Sequence, residues 1–117
     1  MKEQGPEGNP WLRISSKESC AASWRSRGTL SSGRYSLEAN VRTEGVKPNP
    51  NDPRSGAGLR ISGRSFTQRL SATSNWTSLR FSFDVEADQS EVELVCELRA
   101  LQGDVWFDLK SLRLIKH

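Results

Sequence analysis

Hydrophobic and polar residues alternate with a period of two along most of the chain, the pattern of strands that bury one face and wet the other. In residues 33–43, Tyr35, Leu37, Ala39 and Val41 form one face, and Arg34, Ser36, Glu38, Asn40 and Arg42 the other. In 76–86 the apolar set is Leu79, Phe81, Phe83 and Val85, opposite Ser78, Arg80, Ser82 and Asp84. Residues 91–100 set Val92, Leu94, Cys96 and Leu98 against Glu93, Val95, Glu97 and Arg99. Further on, Val105, Phe107 and Leu109 alternate with Trp106 and Asp108, and a last strand runs through Leu112 and Leu114. Shorter candidate strands are 11–15, 19–27, 58–62 and 67–72.

Turn signals separate these runs: Ser31-Ser32-Gly33, residues 86–90, and Gln102-Gly103-Asp104. One connection is long. Residues 45–58 carry three prolines and three Asn or Asp residues, which argues against a strand there and makes a loop that could border a site. No stretch has a helical period. About eight short strands joined by turns predict an all-β fold, a two-sheet antiparallel β-sandwich of jelly-roll type. Residues 11–117 form its single domain, behind a polar, flexible segment at 1–10.

Composition agrees with a thin two-layer fold: 117 residues, 34% hydrophobic, with a mean hydropathy of −0.65. No apolar run approaches the roughly 20 residues of a membrane helix, and residues 1–10 do not read as a signal peptide. The net charge is only +3, but 12 of the 17 basic residues are Arg, whose planar fork suits carboxylates, sulfates, phosphates and sugar hydroxyls. Solvated strand positions account for most of them. Cys96 shares the apolar parity and reads as a buried free thiol, with a disulfide to Cys20 as the alternative.

Several chemistries are missing. The single His is His117, so His-based acid–base catalysis, the usual hydrolase triads and His-bearing zinc sites are not expected. There is no phosphate loop or dinucleotide fingerprint. Carboxylate pairs such as Glu93 with Glu97 exist, but a shallow sandwich offers little depth to raise a pKa. The chain therefore reads as a binding domain and not as an enzyme.

Three segments carry a family resemblance. Ser32-Gly33-Arg34-Tyr35-Ser36-Leu37-Glu38-Ala39-Asn40-Val41-Arg42-Thr43 looks like one strand of galactose-binding-like jelly rolls, and Ser74-Asn75-Trp76-Thr77-Ser78-Leu79-Arg80-Phe81-Ser82-Phe83 resembles another. Val92-Glu93-Leu94, followed by Gly103-Asp104-Val105-Trp106-Phe107-Asp108-Leu109-Lys110-Ser111-Leu112, is similar to their closing strands. In this order they resemble carbohydrate-binding modules of families four, nine and twenty-two, over about residues 12–114. Only residues 1–10 stand where the family's usual first strand would be, so either this is a compact variant or that strand is missing, which would leave a sheet edge open. The resemblance implies a polysaccharide or oligosaccharide ligand, no nucleic acid or membrane partner, and an extracellular setting within a larger protein, such as beside a catalytic domain. No cofactor is required; a structural calcium would use Asp108, although the second acidic ligand has no match.

Sugar rings stack on exposed aromatic faces while polar side chains take the hydroxyls. Tyr35, Phe81, Phe83 and Phe107 follow the core parity. Trp76 sits where the family uses a structural residue. Trp11 and Trp106 are out of phase with their apolar neighbours, so each is either a stacking platform or a cover for an edge or a neighbouring domain. Trp24 shares parity with Cys20 and Ala22, which argues for the core, and its neighbour Arg25 points outward; both stand among the candidates. Asn40, Arg42, Arg60, Glu97 and Arg99 supply hydrogen bonds on one sheet face, or else form a surface ion-pair ladder. A structural or protein-interaction domain is the second reading. Nucleic-acid binding is the third, weakened because the Arg residues are spread over many strands.

Overall fold

The computed structural model describes residues 2–4, 10–18 and 20–117, with side chains for 10–18 and 21–117. Its nine strands are β1 (Lys2–Gln4), β2 (Pro10–Ser16), β3 (Cys20–Leu30), β4 (Gly33–Lys47), β5 (Gly56–Ile61), β6 (Ala72–Val85), β7 (Ser90–Ala100), β8 (Gln102–Asp108) and β9 (Arg113–Lys116). The larger sheet runs β1-β2-β8-β4-β6, with β9 also on β4; the smaller runs β3-β7-β5. All pairings are antiparallel. From β2 to β8 each successive strand lies in the other sheet, so every connection crosses the sandwich. The expected all-β two-sheet architecture is what the chain adopts.

The alternation explains the core. Leu12, Leu37, Val41, Leu79, Phe81, Val105 and Phe107 from the larger sheet meet Ala57, Leu59, Cys96 and Leu98 from the smaller one. Tyr35, Phe81, Phe83 and Phe107 are all buried, as their parity predicts. Tyr35 stacks on Phe83 at 5.7 Å and donates its hydroxyl to the Ser31 carbonyl at 2.8 Å, so its one polar atom is satisfied. Cys96 is buried and free, and burial pushes its thiol up to about 12. Trp24 pairs with Cys96 while Cys20 pairs with Ala100. Four residues of strand, roughly 13 Å, therefore separate the two cysteines, beyond disulfide reach.

Three expectations change. Residues 67–72 are not a strand: Leu70 only bridges Ala57, through two hydrogen bonds of 2.9 Å, before β6 begins at Ala72. The connection at 45–58 is shorter than its composition suggests, because β4 continues to Lys47 and β5 begins at Gly56. What remains is held by Asx turns, Asn51 N–H to Asn49 Oδ1 and Arg54 N–H to Asp52 Oδ1, both 2.9 Å. Within 1–10, Lys2–Gln4 pairs with β2 and Pro10 opens that strand, while Met1 and residues 5–9 lie outside the described residues.

Two irregularities re-aim the end of β4. Val41 faces Thr77 but Thr43 faces Ser74, which places an extra residue in β6 opposite Arg42. Thr43 to Val46 then runs against Ser74 to Ala72, an extra residue in β4 at Gly45, whose φ is +61°. The returning strand β8 passes so close that a Cβ on Gly103 would lie 2.5 Å from Val46 Cα, at a φ of +137°.

Two outcomes follow. Gly103→Ala combines a forbidden backbone conformation with a clash and should lower stability by roughly 1–3 kcal/mol, seen as a lower urea midpoint at unchanged slope. The Cys96 thiol should resist iodoacetamide at pH 8 in the folded protein and react once the chain is unfolded, as read by peptide mass mapping; labelling of Cys96 in the native state would contradict its burial.

Candidate functional site

The outward positions of the larger sheet come together through its registers. Arg13 of β2 pairs with Trp106 of β8, and Trp106 with Arg42 of β4. The guanidinium carbons of Arg13 and Arg42 stand 5.2 and 4.4 Å from the centre of the Trp106 ring, both in the range of cation–π attraction. Arg13 is tied down by Asp104 at 3.1 Å. Trp106 is consequently only 6% exposed. It faces away from the core as its parity requires, but two arginines cover it, so it is not an open stacking platform.

One row along, Trp11 pairs with Asp108 and Asn40 with Ser78. Trp76, beside the extra residue in β6, closes on Trp11: the ring centres are 5.2 Å apart and the planes tilted by 52°. Strands β2 and β6 are separated by β8 and β4, about 14 Å at ordinary strand spacing. The two indoles therefore lean toward each other over the intervening strands. Trp76 is 38% exposed, the one large hydrophobic side chain open to solvent among the described residues. The expected structural role for Trp76 thus gives way to an exposed aromatic surface.

Next to this pair lies a hollow of about 160 Å³ lined by Asn40, Ser78, Lys110 and Ser111, with Glu38 and Arg113 among its walls. It exists because β8 ends at Asp108 and β9 begins only at Arg113, which leaves the edge of β4 away from β6 without a strand partner at Asn40. The Asn40 N–H donates instead to Ser111 Oγ at 2.8 Å. Asp108 organises the turn: its carboxylate accepts from Lys110 N–H at 3.1 Å, and its carbonyl accepts from Ser111 Oγ at 2.8 Å. That carboxylate is half-buried in turn geometry, and among the described residues no three acidic, His or Cys side chains converge on a metal position.

The remaining candidates lie elsewhere. Arg25, Arg60, Glu97 and Arg99 occupy the outer face of the smaller sheet, so they do not share a face with Asn40 and Arg42. There Glu97, 3% exposed, accepts from Arg60 at 2.5 Å and Arg99 at 3.1 Å. Arg25 and Arg27 both hold Glu93, at 2.5 and 2.8 Å. Trp24 points inward and packs against the core, at a cleft between β2 and β3 also lined by Leu12 and Ile14. Sequence reasoning passed over Trp76, Ser78 and Lys110. The signal was present for the first two, since Trp76 shares its parity with Ser78 and Arg80; Lys110 lies in a turn, where parity says nothing.

Three carboxylates are held below the usual range. Hydrogen bonds from Arg25 and Arg27 lower Glu93; the Arg54 N–H, then the Arg99 guanidinium, lower Asp52; the Ser32 N–H lowers Asp88. Each binds protons more weakly when folded, so its stabilisation is present above an ordinary carboxylate pKa of about 4 and fades as pH falls through the depressed values. Stability measured by urea unfolding should be level from pH 7 to 5 and decline below about pH 4, with a shallower decline in Glu93→Gln.

No protein family model and no curated protein sequence matches this chain. Among solved structures, the chain is similar to the EclA C-terminal domain, described as a sugar-binding protein, with a TM-score of 0.61 and 16% identity over 97% of this chain and 89% of that one. At this identity the likeness is one of fold, and it supports the two-sheet sandwich.

Proposed function

We propose that this domain is a non-catalytic carbohydrate-binding module that seats a polysaccharide or oligosaccharide on the outer face of the larger sheet. The observation that carries the reading is the Trp11–Trp76 pair, half-buried at Trp11 and open to solvent at Trp76, beside the Asn40–Ser78–Lys110 hollow. An indole face takes the C–H side of a sugar ring, and amide, hydroxyl and ammonium groups next to it take the hydroxyls. No hydrogen bond engages the Asn40 carboxamide or the Lys110 ammonium within the described residues, so both are available to a ligand. The sugar-binding description of the similar structure supports the same reading. In it, the domain holds a larger extracellular protein, or a catalytic domain joined to it, against its glycan.

The non-catalytic reading is supported by chemistry. His117 Nε2 lies 2.8 Å from Ser36 Oγ, the pairing that serine nucleophiles use. Ser36, however, is fully buried in β4 and cannot meet a substrate.

Affinity gel electrophoresis against a polysaccharide panel tests the proposal. Trp76→Ala and Trp11→Ala should each weaken retention about tenfold, a loss of ~1.4 kcal/mol, with the Trp76 variant still cooperatively folded and its stability lowered by no more than about 1.5 kcal/mol, the worth of the lost ring pair. Wild-type protein retained on no polysaccharide would move the Trp pair to the alternative role, a surface buried against a neighbouring protein.

A further inference from the structure

The segment joining β5 to β6 folds back over the outer face of the smaller sheet. Phe66 is 6% exposed and packs on Gly58, where a Cβ would stand 3.0 Å from the phenyl ring and 2.8 Å from the Gln68 carbonyl. Only glycine lets the segment lie this close. Beside Phe66 there is a cavity of about 200 Å³ whose charged lining is Arg54, Arg60, Arg64, Arg99 and Glu97.

The charge in this cavity does not cancel. Glu97 fixes Arg60 and Arg99, and Arg60 also donates to the carbonyls of Ile61 and Arg64 at 3.3 and 3.4 Å. Arg99 and Arg54 share Asp52, each at 3.6 Å. Among the described residues Arg64 has no carboxylate within reach. Four guanidiniums thus face two carboxylates, an excess of two positive charges (4 − 2) around one opening. The two arginines on the cavity floor are held in fixed planes, while at the rim Arg64 is exposed with no carboxylate partner among the described residues and the exposed Arg54 holds only a 3.6 Å contact to Asp52. Planar donor forks set in this way match a carboxylate or a sulfate through paired hydrogen bonds. Phe66 is covered, so no aromatic ring is offered on which a nucleic-acid base could stack.

We propose that this arginine cavity binds the anionic group, carboxylate or sulfate, of an acidic saccharide, giving the domain a second glycan contact on the face opposite the Trp pair. The proposal rests on the carbohydrate-binding reading, and the experiment separates the two. Wild type, Trp76→Ala and the double variant Arg54→Gln/Arg64→Gln are run in affinity gels containing neutral galactan, polygalacturonate, a sulfated galactan or a single-stranded oligonucleotide. Arg60 and Arg99 are left in place because removing either strands the buried Glu97. Wild type should bind at least one acidic polymer at least tenfold more tightly than galactan, and inorganic sulfate should erase the difference. Comparing the polyuronate with the sulfated galactan shows which anion is taken. The double variant should lose the acidic preference yet keep wild-type retention on galactan and a wild-type urea midpoint; Arg64→Lys should keep part of the preference. Galactan binding without any acidic preference overturns this proposal alone, as does a preference that survives in the double variant. Stronger retention by the oligonucleotide overturns it in favour of nucleic acid. Retention by no polysaccharide overturns both readings.

Discussion

Strand β4 is hydrogen-bonded along one edge by β6 and along the other by β9 and then β8, and the rest of the molecule is arranged around that double pairing. In a strand paired on both edges, a slip of one residue would exchange the buried and outward sets throughout the sheet. Tyr35, Leu37, Ala39 and Val41 can enter the core only in this register, and the same register fixes Asn40 and Arg42 outside, opposite Ser78 and Trp106. The core and the Trp-bearing face are therefore one constraint seen from two sides. The changeover from β9 to β8 interrupts it along one edge, and leaves the hollow beside Asn40.

A sandwich with only three strands in one layer cannot hide every large side chain between its sheets. Part of the chain's burial happens on the outer faces, and arginine provides it. Trp106 is removed from water by two guanidiniums, and Val95 and Glu97 are buried on the outward side of β7, where Arg60, Arg99 and the Phe66 segment adjoin them. Guanidinium planes are weakly hydrated and stack on apolar surface while keeping their donors satisfied at the edges. This accounts for the preference for Arg over Lys without any appeal to a polyanionic partner, and it separates structural arginines such as Arg13 and Arg42 from Arg64, which packs on no aromatic ring among the described residues.

The fold was legible because most strands have one apolar and one polar face, and parity alone sorts them. Parity fails where hydrogen bonding departs from simple ladders. The segment 67–72 alternates adequately but forms only the Leu70–Ala57 bridge, and β4 continues past Gly45 through an irregularity that composition disguises as loop. The site was half legible. Outward orientation of Trp11, Trp106, Asn40 and Arg42 follows from the pattern, but which strand lies beside which does not. Glu97 and Arg99 meet Arg60 because β5 pairs with β7, whereas Arg42, equally suitable by parity, belongs to the other sheet. Trp106 fails as a platform for the same reason: the arginines that cover it come from strands remote in sequence.

Trp76 shows how local irregularity and long-range register combine. A regular β6 would hold its indole upright in one column, more than two strand spacings from Trp11. The extra residue opposite Arg42 adds local twist and turns the side chain toward β2, and Trp11 leans in from the other side until the rings meet. Each indole thereby limits the freedom of the other, which reduces the ordering cost that an isolated exposed Trp would meet on binding. The aromatic surface is thus set before any ligand arrives, by the same bulge that redirects the end of the central strand.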